Sequence, residues 1–310
     1  MSAYTTPYNT SSVIDAIGAT GFSPTWLNAS TLVLGAGALT VVGASLLTGS
    51  ESKLAQLFGG KPVPKSHNIG LLTREQVEKL HKQGSWERQV YDEYVSVLLD
   101  KERVFPCIYA TKGFKTDDQR YLFIDSDDLA DPRHARDLAA ALAIYLPQSR
   151  QLGANTSLVL LSKHNPRPRS METYKNAFWM LLNNVASLDK KPWPENVPRD
   201  IDTDRWCFCF GGEPFFAVIQ TPAHQTRASR HADSLTVVFQ PKWIFDVLFS
   251  SEAKKVGAIG KVRTLLAEYD PIPASPDLMT YGDSGSRESK QYFLLDENSP
   301  ASCPFSVLGA

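Results

Sequence analysis

The sequence predicts an α+β domain with a mainly antiparallel central sheet flanked by helices, preceded by one N-terminal transmembrane helix. Three short runs rich in aromatic and β-branched residues lie close together in the second half of the chain, as is typical of neighbouring strands. Stretches with helical periodicity and capping residues lie on both sides of these runs. A chain of 310 residues with 43% apolar composition is long enough to bury a sizeable core.

The N-terminal tract predicts a membrane anchor. Asp15 is the one charged residue before position 51, and residues 27–47 form an uncharged segment that could cross a bilayer of about 30 Å as a helix. A signal peptide normally begins with basic residues, whereas the first basic residue here is Lys53. An unstructured tail is the other interpretation. Because basic residues only follow the span, the positive-inside rule places the C-terminal part in the cytosol.

The expected protein is therefore a single-pass membrane protein of the endoplasmic reticulum or another endomembrane. Its predicted segments are a short extramembrane N-terminus at 1–26, the transmembrane anchor at 27–47, a linker at 48–72 and a cytosolic domain at 73–310.

The first half of the domain predicts alternating helices and short strands. Thr73 begins a capping box that predicts a helix over 73–82, and Ser85 begins a second helix over 85–99. Asp131 and Pro132 are typical of a helix start. The further expected elements are strands at 104–110, 121–124 and 157–161 and helices at 131–145 and 170–188.

The second half predicts a buried hairpin, a third strand and two helices. The hairpin strands are 206–210 and 215–219, separated by Gly-Gly-Glu-Pro, and the third strand is 235–239. Helices are expected at 241–249 and 251–268, and a last short strand at 292–295. Between the second and third strands, residues 221–231 hold two histidines, two arginines and no carboxylate. Functional sites often lie on loops held by a rigid scaffold, so this loop is the first place to expect chemistry.

Composition excludes some functions. The net charge is −1 and the chain has no extended basic run, which argues against a nucleic-acid partner. Four cysteines are too few and too scattered for a disulfide framework, and Cys207 and Cys209 are interpreted as buried thiols in a strand. Because there is no G-x-G-x-x-G motif, a reductase would have to be a separate protein.

A series of short motifs resembles the YqcI/YcgG family, whose members contain FPC and CPF motifs. The resemblance covers roughly residues 75–305. The matching motifs are Phe105-Pro-Cys107, Phe178-Trp179, Pro192-Trp-Pro194, Gly212-Glu-Pro-Phe-Phe216, Thr221-Pro-Ala-His224, Arg227, Ser229-Arg230, Phe239-Gln-Pro241 and Cys303-Pro-Phe305.

The resemblance implies a haem-dependent oxygenase of specialised metabolism. Characterised members oxidise the nitrogen of amino-acid side chains, such as a guanidine or an amine, and use haem b. The implied partners are a small amine or guanidine substrate, a separate electron donor and, through residues 27–47, a membrane.

The resemblance also implies roles for particular residues. His224, in the TPAH motif, is the first candidate for the axial ligand of the iron, and His231 is the second. A thiolate from Cys107 or Cys303 is a further possibility. Arg227 and Arg230 would bind the propionates. Glu213 lies at the predicted hairpin turn, where it is expected either to hold a cationic substrate or to cap the turn.

Each of these residues also has a structural interpretation. His224 could be a loop histidine bonded to the backbone, the cysteines could be packing residues, and the arginines could pair with structural carboxylates. Two other functions also stay open: a haem or small-ligand binding module without turnover, and a thiol-dependent hydrolase or transferase using Cys107. The last is disfavoured because nothing in the sequence around Cys107 marks a helix N-terminus.

Overall fold

The computed structural model of this protein describes residues 70–299. Five strands form one sheet in the order β1-β2-β5-β4-β3. Strands β1 and β2 are parallel, and the other three neighbouring pairs are antiparallel. This agrees with the predicted α+β class and its mainly antiparallel sheet. The strands are β1 Gln119–Ile124, β2 Ser157–Ser162, β3 Phe208–Phe210, β4 Glu213–Gln220 and β5 Thr236–Pro241.

Eight α-helices surround this sheet in the described part of the chain. Side chains of Thr73, Ser85, Asp131, Ser170 and Ser251 cap five of their N-termini, as expected from the sequence. The helices are α1 Arg74–Leu80, α2 Trp86–Leu99, α3 Ile108–Lys115, α4 Pro132–Leu152, α5 Met171–Ser187, α6 Trp243–Leu248, α7 Glu252–Tyr269 and α8 Glu288–Tyr292.

The predicted hairpin is present, and two glycines form its tight turn. Gly211 and Gly212 have φ values of 65° and 78°, the left-handed backbone that a two-residue hairpin turn needs. Strand β4 then pairs with β5 so that Val218 faces Val238. The third predicted strand is therefore the central partner of the hairpin.

Two predicted strands are wrong. Residues 104–110 lead through a turn into α3 instead of forming a strand, and the outer edge of β1 is bridged by Leu72. Pro106 cannot donate to a sheet, which is consistent with this outcome. Residues 292–295 end the short helix α8 and continue as irregular chain.

The predicted transmembrane helix is contradicted by the helices that the structure describes. None of the helices within residues 70–299 is both long and apolar enough to cross a membrane. The predicted anchor at 27–47 lies outside the described residues, as do segment 1–26 and most of the linker 48–72. The prediction of a single-pass endomembrane protein with a cytosolic domain is withdrawn on the same finding.

The two faces of the sheet are covered differently. Helices α4 and α5 pack on one face and bury the main core, which includes Phe178, Trp206 and Phe215. Helices α1, α2 and α3 cover the other face over β1 and β2, around Tyr91 and Tyr121. On that second face, β4 and β5 border a cavity instead.

Candidate functional site

A cavity of about 730 Å³ lies on the β4–β5 half of the sheet. Its floor consists of alternate residues of the two strands, because successive side chains of a strand point to opposite faces. Its walls come from α2, residues 105–110, α6, α7 and residues 274–281. The volume is typical of small-molecule sites. The floor residues are Phe216, Val218 and Gln220 of β4 and Thr236, Val238 and Gln240 of β5.

Arg230 lines this cavity, and one nitrogen of its guanidinium has no hydrogen-bond partner within residues 70–299. It ends the short 3₁₀ turn Ala228–Arg230, beside the Gln220 end of the floor, where the Gln220 amide donates to the Ser229 carbonyl. Its Nε atom is buried and has no hydrogen-bond partner among residues 70–299. Burial lowers the pKa of Arg230 to about 10, although nearby Asp270 raises it. The guanidinium is therefore placed to receive an anionic group.

Cys107 lines the same cavity, in a setting that the sequence did not indicate. It occupies the N-cap position of α3, so the statement that nothing there marks a helix N-terminus was wrong. Burial nevertheless raises the pKa of the Cys107 thiol, against the lowering effects of backbone N–H groups of α3 and of Arg230. The thiol form is favoured, because burial outweighs these effects.

His231 is the predicted histidine that reaches the cavity. Its Nδ1 lies 2.6 Å from the carbonyl oxygen of His224, so Nδ1–H donates to that oxygen. Its Nε2 lies 3.3 Å from a carboxylate oxygen of the exposed Asp233, and the side chain is 40% exposed. Because Nδ1–H donates to a carbonyl, Nε2 is the nitrogen that a ligand or metal would bind, in place of its contact with Asp233.

His224, the first candidate for the iron ligand, is fully buried away from this cavity. Its Nδ1 lies 2.8 Å from the Thr221 hydroxyl and its Nε2 lies 2.8 Å from the carbonyl oxygen of Leu294. Burial lowers its pKa, although the Leu294 carbonyl raises it, so the ring is neutral, with Nε2–H donating and Nδ1 accepting. Binding a metal would require one of these bonds to break.

Arg227 has a structural environment, unlike Arg230. It is buried, its Nε donates to the carbonyl oxygen of Leu295 and its Nη2 donates to the side-chain oxygen of Asn298, both at 2.7 Å. Its Nη1 lies 3.8 Å from a carboxylate oxygen of Asp270 and, like Nε of Arg230, is buried without a hydrogen-bond partner among residues 70–299. The two arginines that were predicted to act together thus have different surroundings.

Asp296 completes the contact between this loop and the C-terminal segment. Its carboxylate accepts hydrogen bonds from the backbone N–H groups of Gln225, Thr226 and Arg227, at 2.7, 3.1 and 2.9 Å. Burial raises the pKa of Asp296, but these three hydrogen bonds lower it by more than burial raises it. The pKa of Asp296 therefore lies below its usual value. We refer to residues 294–298 as the clamp segment, because it holds the first half of the loop.

Two other predicted site residues lie elsewhere. Glu213 begins β4 and forms an ion pair with Arg150 at 3.2 Å, outside the cavity lining. Cys303 lies beyond the described residues.

Sequence reasoning missed an ion pair in the cavity wall, formed by Lys242 and Glu288. Lys242 Nζ lies 3.1 Å from Oε1 of Glu288, and the two side chains are 13% and 3% exposed. The Nζ atom also lies 3.5 Å from the ring centre of Tyr281 and 5.0 Å from that of Phe245. Burial raises the pKa of Glu288, and Lys242 lowers it. Glu288 follows a stretch rich in Gly and Ser, which gave no sign that it would be buried.

Comparisons with known proteins match most of the chain. The model of the YqcI/YcgG family matches residues 94–306, as the motifs suggested. The uncharacterized proteins YcgG and YqcI of Bacillus subtilis (strain 168) are 38% and 34% identical over 244 and 241 residues. These alignments span 77% and 76% of this chain and 96% and 94% of those proteins.

A third relative has a functional name. It is the putative N(omega)-hydroxy-L-arginine synthase DcsA of Streptomyces lavendulae, 30% identical over 252 residues, which are 78% of this chain and 92% of that protein. No solved structure matches the chain.

Proposed function

Because the chain belongs to the YqcI/YcgG family, we propose that it hydroxylates a guanidine or amine nitrogen of an amino-acid-like substrate bound in the cavity. One observation carries the proposal. The relative named as a putative N(omega)-hydroxy-L-arginine synthase aligns over 92% of its own length, so its whole domain corresponds to this one. The cavity supports the proposal because it offers apolar walls and charged groups within a single space.

Haem b is part of this proposal, and the cavity residues fit it. A haem needs one protein donor on an axis of its iron, usually an imidazole or a thiolate. Cys107 and His231 both line the cavity, whereas His224 does not. Both ring nitrogens of His224 contact buried groups, whereas Nε2 of His231 contacts only the exposed carboxylate of Asp233, at 3.3 Å. We assign the ligand to Nε2 of His231, because its Nδ1–H bond to a backbone carbonyl is the arrangement that orients metal-binding histidines.

The proposed reaction inserts one oxygen atom into an N–H bond of the substrate. The second atom of O₂ leaves as water, with two protons and with two electrons from a separate donor. Haem supplies the activation of O₂ when it is bound. The apolar floor around Val218 and Val238 excludes water from the reacting nitrogen. Arg230 binds a carboxylate of the substrate, because its buried Nε–H lacks an acceptor among residues 70–299 and a carboxylate accepts two N–H groups of a guanidinium.

The test uses the full chain, expressed with a supply of haem. Absorption spectra of the wild type, His231→Ala, Cys107→Ala and His224→Gln identify the ligand. We expect the haem band to be lost only in the His231 variant. Incubation with L-arginine or L-lysine, O₂ and a reductant should give a product heavier by one oxygen atom. A haem-loaded protein that modifies no amine or guanidine would leave the binding-module alternative in place.

A thiol-dependent activity is the second candidate, because Cys107 lies at the N-terminus of α3 and near Arg230. Its raised pKa argues against a reactive thiolate at neutral pH. No hydrogen bond joins Cys107 to a histidine within the described part of the chain. Labelling by iodoacetamide at neutral pH should therefore be slower than that of free cysteine, and fast labelling would favour this candidate.

A further inference from the structure

Helix α7 forms one wall of the cavity, and this wall is a single helix thick. The residues of α7 that line the cavity recur every three or four positions, so they form one stripe along the helix. The opposite side of α7 is exposed, and Leu266 is the one buried residue of the helix. Helix α7 therefore separates the cavity from solvent over roughly 16 Å of its length. The residues of the stripe are Lys255, Ala258, Ile259, Val262, Arg263 and Leu266.

The body of α7 makes few contacts that hold it against the domain. Within residues 70–299, no hydrogen bond or ion pair joins a side chain of 252–268 to a residue outside 250–268. The side-chain hydrogen bonds of this segment are local, from Lys254 to the Ser250 hydroxyl and from Thr264 to the Gly260 carbonyl. Because Leu266 alone is buried, apolar packing also contributes little over most of the helix.

The C-terminal end of α7 is attached firmly, in contrast to its body. Nη2 of Arg103 donates to the Tyr269 carbonyl at 2.8 Å, and the guanidinium lies 4.2 Å from the centre of the Tyr269 ring. Asp270, the next residue, accepts hydrogen bonds from the backbone N–H and the hydroxyl of Ser229, at 2.6 and 2.8 Å. This end of the helix is therefore fixed to the loop that carries Arg230.

Two glycines weaken the middle of α7 without a packing reason. Gly257 and Gly260 are exposed, and a Cβ atom added at either position would meet no atom within 4 Å. Gly113 in α3 differs, because a Cβ atom there would clash with the carbonyl oxygen of Asn155. Glycine destabilises a helix relative to alanine, since it loses more conformational freedom on folding. The middle turns of α7 thus combine low helix propensity with few tertiary contacts, the features of segments that unfold locally.

We propose that α7 is a lid, which admits ligands to the cavity by local unfolding of its middle turns while its C-terminal end stays attached. Because Asp270 keeps its bonds to Ser229, the neighbouring Arg230 and His231 hold their positions when the lid opens. The residues that receive a ligand are then in place before it enters. This inference concerns access to the cavity and goes beyond the proposed function, since it does not depend on which reaction follows.

The thiol of Cys107 provides a reporter inside the cavity. Full-length protein, without haem or reductant, is treated with iodoacetamide at neutral pH, and peptide mass spectrometry follows the modification of Cys107. The double variant Gly257→Ala/Gly260→Ala should be modified about tenfold to thirtyfold more slowly, the factor expected when two glycines are replaced in a helix that must unfold. Hydrogen exchange of the backbone amides of residues 255–266 should slow by a similar factor.

A second variant tests the opposite direction. Lys261→Gly adds another exposed glycine to the same helix and should speed both the modification of Cys107 and the amide exchange severalfold. Ile144→Ala is the matched control, because Ile144 is exposed on α4 and lies outside the cavity lining. This substitution raises helix propensity away from α7, so it should change neither measurement.

Two results would overturn the inference. If labelling and exchange were unchanged in Gly257→Ala/Gly260→Ala, reagents would enter the cavity without unfolding of α7. If Ile144→Ala slowed the labelling of Cys107 as much as the double variant, the cause would be global stability instead of a lid. Both measurements are made without turnover, so neither result bears on nitrogen hydroxylation. The absence of oxygen incorporation, in turn, would contradict the proposed function and leave the lid in place.

Discussion

The two halves of the loop 221–231 contain the same residue types and have different environments. In the first half, His224 and Arg227 direct every described side-chain hydrogen bond into the protein, mostly to the clamp segment. In the second half, Arg230 and His231 line the cavity. An imidazole and a guanidinium thus occur once away from the cavity, bonded mostly to the clamp segment, and once at the cavity.

The surroundings of these side chains differ although their residue types do not: His224 contacts buried groups through both ring nitrogens, whereas one ring nitrogen of His231 contacts an exposed carboxylate. The first half holds the second in place, since the carbonyl oxygen of His224 accepts from His231. Asp270 also links them, because it binds Ser229 and lies near Arg227. Changes in the first half should therefore reduce stability, whereas changes in the second half should reduce binding.

The largest expected effect distinguishes the two arginines. Arg227→Gln should destabilise the domain by about 3–5 kcal/mol, because it leaves Asp270 buried without its cation and removes bonds to Leu295 and Asn298. Arg230→Gln should change the free energy of unfolding much less, since Nε of Arg230 is buried without a hydrogen-bond partner among residues 70–299. Urea unfolding of both variants measures the difference. Equal destabilisation would mean that both arginines are structural.

A smaller effect tests the clamp segment. Asp296→Ala should cost about 2 kcal/mol, because the three backbone N–H groups of residues 225–227 lose a charged acceptor. Asp233→Ala is the matched control, since that carboxylate is exposed, and it should change stability by less than about 0.5 kcal/mol. Urea unfolding again gives the values. A cost for Asp296→Ala no larger than that of the control would show that the clamp segment does not hold the loop.

Much of the fold was predictable from local signals. The capping residues Thr73, Ser85 and Asp131 begin helices as expected, and the glycines before Glu213 form the hairpin turn. The stretch 104–110 misled because its apolar residues are typical of a strand, whereas Pro106 cannot donate to a sheet and residues 108–115 form α3. Hydrophobic periodicity indicates which residues of a segment can be buried. It does not indicate which strand or helix the segment packs against.

The site was predictable only in part. The motif series located the loop, and the loop does border the cavity through Arg230 and His231. Which histidine is bonded internally depends on Leu294, a contact seventy positions away that no local pattern contains. The pairing of Lys242 with Glu288 likewise joins residues 46 positions apart. Glu213, which the sequence favoured for a cation, is instead neutralised by Arg150.

The smallest expected effect is a pH dependence that arises in the structural half of the loop. Burial lowers the pKa of His224 from 6.5, while the Leu294 carbonyl and Asp296 raise it and Arg230 lowers it further. A lowered pKa in the folded state means that stability is complete above about pH 6.5 and is lost as the pH falls through the folded pKa. In His224→Gln the amide can still donate to Leu294 but does not titrate, so this part of the acid dependence should disappear.

Thr221→Val is the matched control for this titration, because it removes the partner of Nδ1 and keeps the imidazole. It should be less stable at every pH and keep the acid dependence. Urea unfolding between pH 5 and pH 8 measures both variants. If His224→Gln kept the acid dependence of the wild type, the neutral, internally bonded ring would be the wrong description. The difference between the two halves of the loop would then rest on Arg227 and Arg230 alone.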